Sequence, residues 1–126
     1  MIENKVIQDI ETEGDIAKWM NAFYSRLLVD EITAPVFEGL DLEKHMPKLV
    51  NFWAFVLLEK EGYTTNVFEK HIRLNLEKKH FERWLMHFDV ITDELFKGER
   101  ADTAKKRVRL LATTFYFKLH GVYEMF

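Results

Sequence analysis

Residues 66–88, NVFEKHIRLNLEKKHFERWLMHF, govern how the rest of the chain reads. Asn66 is placed to cap one short helical turn, residues 67–70, which delivers His71; Ile72, Arg73, Leu74 and Asn75 then interrupt the helix before a second begins. An imidazole that ligates a metal needs this kind of mount: a short rigid turn that fixes the ring, with apolar neighbours that keep water away. His71 is therefore the first candidate metal ligand.

The composition around it narrows the metal. At 126 residues the chain is one domain, 1–126, long enough to bury a real core. Its 11 Phe and 3 Trp exceed what a small helical core ordinarily requires. A flat macrocycle buried in the fold would use that aromatic surface, and a plain aromatic core is the ordinary alternative. The absence of cysteine removes disulfides, thiolate ligation, iron–sulfur clusters and covalent attachment through Cys-x-x-Cys-His. Any metal must be held by His, Tyr, Met or carboxylate, and with His71 in its turn the reading is a non-covalently bound haem iron.

Net charge is only −3 and the basic residues are spread along the chain, which gives no nucleic-acid footprint. The first residues, MIENKVIQDIETEG, lack the basic start and apolar run of a signal peptide, and no apolar stretch approaches the length of a membrane span. A soluble cytoplasmic protein without membrane insertion is expected.

Periodicity makes the chain almost wholly helical. Ile2, Val6, Ile7 and Ile10 allow a short opening helix. Thr12-Glu13-Gly14-Asp15 is a capping signal leading into a helix over 15–30, with Ile16, Trp19, Met20, Phe23, Tyr24, Leu27 and Leu28 on one face. Residues 32–39, with Pro35 near the start and Gly39 after, predict one tight helical turn that holds Phe37 at a corner. Leu42, His45, Met46, Leu49, Phe52, Trp53 and Val56 share one stripe over 41–58, but Pro47 predicts that the regular helix starts no earlier than about residue 44. A fourth helix over about 77–97 carries Phe81, Trp84, Leu85, Phe88, Ile91 and Leu95, closed by Gly98. The last, about 100–119, buries Ala104, Val108, Leu111, Ala112, Phe115 and Leu119, with Lys105, Lys106, Arg107 and Arg109 on a solvated face.

Several enzyme classes drop out. A di-iron carboxylate site needs two Glu-x-x-His pairs, and only Glu77-Lys78-Lys79-His80 is present. There is no His-Glu-x-x-His, no Gly-rich phosphate loop, and the single serine, Ser25, has no base beside it in sequence. Helix count alone fits a four-helix bundle and a compact globin-like fold equally.

Four fragments in order resemble the truncated haemoglobins of group III, over about residues 16–117. FYSRLLVDEITAPVF is similar to the family's Phe-Tyr helix and Pro-x-Phe corner, and HMPKLVNFWAFVLL to its histidine-led distal helix. HIRLNLEKKHFERWLMHF is similar to the proximal histidine, loop and Trp-bearing helix, and FKGERADTAKKRVRLLA to the last helix. The Gly-Gly pairs of the other truncated groups are absent, as in group III.

The resemblance implies an all-α, two-over-two helical sandwich, a truncated globin-like fold with haem b between distal helix and proximal turn. It implies that His71 is the proximal ligand, that Tyr24, His45 and Trp84 line the distal pocket beside Phe23, and that Phe37 packs on the haem. Leu49, Phe52 and Trp53 would complete the apolar wall. Arg73 is a candidate for a haem propionate, with a free surface arginine as the alternative, and His45 is a gate or a donor. His80, His87 and His120 receive no role and read as surface or second-layer residues. The implied function is reversible binding of O₂, and also CO or NO, at a pentacoordinate iron in a monomer. NO dioxygenation or peroxidase-type chemistry with a reductase partner is compatible with it. The alternative is a cofactor-free helical interaction module.

Overall fold

In a computed structural model, residues 6–61, 76–124 and 126 are described. Among them are five helices and no strand: α1 (Glu13–Leu27), α2 (Ala34–Phe37), α3 (Leu42–Leu58), α4 (Lys78–Leu95) and α5 (Glu99–His120). Helix α1 packs on α3 and on α4, α4 packs on α5, and α3 reaches α5. The α1–α3 pair thus packs on the α4–α5 pair, as a two-over-two arrangement requires.

Local chemistry sets each boundary. The Thr12 hydroxyl accepts from the Asp15 N–H at 3.0 Å while the Asp15 carboxylate accepts from the Thr12 N–H at 3.1 Å, a reciprocal cap on α1. The helix stops at Leu27 rather than 30 because side chains take over its last polar groups: Thr33 donates to the Leu27 carbonyl at 2.7 Å. Pro35 lies in the first turn of α2 as expected. Helix α3 begins at Leu42, ahead of the expected start, since Asp41 caps the Lys44 N–H. Pro47 is tolerated inside it because the carbonyl it leaves without a partner belongs to Glu43, on an exposed first turn where water can serve.

The expected opening helix is absent over residues 6–12. This lead-in binds the start of α5 instead: the Asp9 carboxylate accepts from the Arg100 N–H at 2.9 Å and the Ala101 N–H at 3.0 Å. Gly98 does not close α4, which ends at Leu95; it is the N-cap of α5, and Asp9 supplies the capping oxygens that glycine lacks.

Trp19 sits at the centre of the core, with ring centroids 5.1 Å from both Trp53 and Phe88. Its indole N–H donates to Thr92 at 2.9 Å, and Thr92 donates onward to the Phe88 carbonyl. The basic face of α5 is less solvated than its pattern suggests. Lys105 bonds Asp93 and Arg109 pairs with Asp89, tying α5 to α4. Of the two expectations for His87, burial excludes the surface one: the ring is enclosed, and Asp30 and Arg26 contact it. Among the described residues no helix is long and apolar enough to cross a membrane.

Candidate functional site

Phe37, Leu76, His80, Phe81, Trp84 and Phe115 line a small cleft that is partly open to solvent. Helix α2 holds Phe37 at its corner, α4 presents His80, Phe81 and Trp84 from its first two turns, and α5 contributes Phe115. Cofactor sites commonly combine mainly apolar walls with a few placed polar groups, and five of these six side chains are aromatic or aliphatic.

Behind this wall lies Tyr24, 3% exposed, with its ring centroid 5.7 Å from Phe37 and 5.8 Å from His45. Phe23 stands 5.4 Å from Tyr24 and 6.2 Å from Trp84, so α1 links the two polar-tipped aromatics. Burial pushes the Tyr24 phenol well above its ordinary pKa, so it remains an O–H donor at any physiological pH. Among the described residues nothing accepts a hydrogen bond from the Tyr24 hydroxyl or the Trp84 indole. Trp19, by contrast, has its partner in Thr92. Trp84 is only half-buried, and among the described residues no buried side-chain nitrogen or oxygen lacks a partner, so these two donor atoms are reached from the cleft or by solvent rather than orphaned in the core.

His45, half-buried on α3, packs edge-on against Tyr24. Leu49 and Phe52 are half-buried further along α3 and pack against the core, and Phe52 meets Trp53 at 5.1 Å. Trp53 itself is placed in the Trp19–Phe88 cluster. His71 and Arg73 lie outside the described residues. Leu76, His80, Phe81 and Phe115 line the cavity, and no signal in the sequence marks them for it. Phe81 and Phe115 are helical core positions by pattern, and which core positions border a void is a tertiary fact.

His80 accepts the Glu77 N–H on Nδ1 at 2.9 Å and so caps α4. Its pKa is held below the ordinary histidine value by burial and by Lys79, against the opposing effect of Glu77. Among the described residues no group of three His, Asp or Glu could hold a bare ion. The largely aromatic lining of the cleft suits the face of a flat apolar group rather than a bare ion.

A model of the bacterial-like globins matches residues 7–117. Among characterised proteins, the group 3 truncated haemoglobin of Campylobacter jejuni is 28% identical over 115 residues, 86% of this chain and 91% of that protein. A group 1 truncated haemoglobin of Nostoc commune is 32% identical over 73 residues, 57% of this chain and 62% of that one. The crystal structure of a group III truncated haemoglobin from Campylobacter jejuni superposes with a TM-score of 0.81 at 26% identity, covering 91% of this chain and 96% of its own. With the two-over-two helices and the aromatic cavity already in hand, these matches make the chain a member of the bacterial-like globin family, similar within it to the group III truncated haemoglobins.

Proposed function

We propose that the chain binds haem b without covalent attachment and takes up a diatomic gas reversibly, chiefly O₂ and also CO and NO. Haem would supply an iron with an open coordination position for the gas. His71 is the proposed axial ligand, from its motif, and Phe37, Phe81 and Phe115 would pack on the apolar body of the macrocycle.

The protein's own part is polar and steric. Tyr24 offers a phenol O–H and Trp84 an indole N–H, both held by packing rather than by other acceptors among the described residues. Donors fixed in an apolar surrounding need no reorganisation when a polar ligand arrives, and water competes with them poorly. His45 lies against Tyr24 at the α3 side, where its rotation would open or close the approach to that hydroxyl. The match to the bacterial-like globins, together with the aromatic-lined cleft, carries the reading. NO dioxygenation or peroxide reduction would in addition require electrons from a reductase, and it is proposed only as a further use of the same pocket.

Titrating haem into purified protein tests the proposal. The expected result is a saturable 1:1 Soret band that shifts on adding CO to the reduced form. A His71→Ala variant should retain the helical far-UV spectrum and lose the five-coordinate ferrous signature. Failure of the wild-type protein to take up haem would leave the cofactor-free interaction module as the better reading.

A further inference from the structure

His80 lines the cavity, yet neither its pattern nor the gas-binding scheme gives it work. Its Nδ1 accepts the Glu77 N–H at 2.9 Å, while the His80 backbone N–H donates to the Glu77 carbonyl at 3.0 Å. A ring nitrogen that accepts carries no proton, so in the neutral ring the proton is on Nε2. The cap also fixes the ring plane. His80 therefore offers the cavity one oriented N–H donor, from a half-buried position at the first turn of α4, where cavity and solvent meet.

The other lining residues are Phe37, Leu76, Phe81, Trp84 and Phe115, a surface for the apolar body of a macrocycle. Haem also carries two carboxylates, and burying them among phenylalanines without donors would be strongly unfavourable. They must lie where water or N–H groups are. We propose, on the footing of the haem reading, that His80 anchors a haem propionate through Nε2–H and thereby fixes which edge of the macrocycle faces solvent. Burial and Lys79 favour the neutral ring, against the opposing effect of Glu77. A propionate would be met by the Nε2–H of this neutral ring, because a second proton on Nδ1 would cost the Glu77 N–H its acceptor.

The test compares two prosthetic groups, haem and haem dimethyl ester, the second lacking the carboxylate charges. Each is loaded into wild type, His80→Leu and His80→Gln, and its loss to excess apomyoglobin is followed in the Soret region. A hydrogen bond to a charged group predicts that His80→Leu releases haem about tenfold faster than wild type. The dimethyl ester should leave both at the same rate, and His80→Gln, whose amide can place a donor near the same point, should recover part of the difference. If His80→Leu speeds the loss of haem and of its diester by the same factor, the residue merely packs and the anchor is overturned. Unchanged release of both groups would overturn it equally. Wild-type protein that takes up neither group would instead overturn the haem reading itself, so the two failures are distinguishable.

Discussion

Tyr24 and Trp84 are the side chains on which ligand retention should turn. Bound O₂ is far more polarised than bound CO, so donors aimed at the ligand should slow the release of O₂ and leave CO nearly untouched. A hydrogen bond to a charged acceptor contributes roughly 1.5–3 kcal/mol, so Tyr24→Phe or Trp84→Phe should speed O₂ release by about ten- to a hundredfold. Stopped-flow dissociation of both gases decides it; parallel changes in O₂ and CO would mean that the rings only pack. His45→Ala should chiefly alter the association rate, because Tyr24 and Trp84 are already the stronger candidates for donation to the ligand. Faster O₂ dissociation at unchanged association would make His45 a donor. Tyr24 and Trp84 can be named from the sequence because helical spacing turns them inward and the family motifs carry them. His80 cannot: Glu-x-x-His in a charged turn reads as surface, and only the fold shows that the capping ring also borders a cavity.

Helix boundaries with local causes are readable in the sequence, and those with distant causes are not. Thr12 and Asp15 cap α1 within three residues of each other, and Pro35 marks α2 by its own ring. The start of α5 depends on Asp9, 91 residues away from Arg100 in sequence, so local pattern alone makes Gly98 look like the end of α4. Gly98 adopts φ +151°, and a Cβ there would meet the Asp9 side chain at 2.5 Å. Gly98→Ala therefore forces an unfavourable backbone conformation and displaces the cap at once. Lost caps cost roughly 0.5–2 kcal/mol and backbone strain of this kind roughly 1–3, so a destabilisation of about 2–4 kcal/mol is expected. Asp9→Ala should show the loss of the cap alone. Urea melts of both variants and the pair would test the coupling: with Asp9 already removed, Gly98→Ala should cost distinctly less than in wild type.

Periodicity does not supply the relation between helices, since a bundle and a globin-like sandwich share the same apolar stripes; contacts between remote polar residues help to fix that relation. Asp30, beyond the end of α1, is buried and accepts from Arg83 at 2.9 Å, from His87 at 2.5 Å and from the Ile32 N–H at 2.8 Å. Arg26 donates to the other ring nitrogen of His87 at 3.3 Å, which puts the His87 proton on Nε2, facing Asp30. One carboxylate thus ties the α1–α2 turn to α4, on either side of Trp84. Burial alone would raise the Asp30 pKa, but the bonds from His87, Ile32 and Arg83 outweigh it and hold the carboxyl well below the ordinary 3.8. Folded protein therefore binds this proton less readily than unfolded chain. The stability contributed by Asp30 is complete above the ordinary carboxylate value and is lost as pH falls through the lower, folded one. Asp30→Asn should cost roughly 1.5–3 kcal/mol at neutral pH, the value of hydrogen bonds to a charged group. Denaturant melts of wild type and variant at pH 7, and in steps down to about pH 2.5, should show the difference narrowing only below the ordinary carboxylate range. A difference that stays constant throughout would mean that Asp30 acts by shape rather than charge, and one that widens in acid would reverse the assigned direction of its pKa shift.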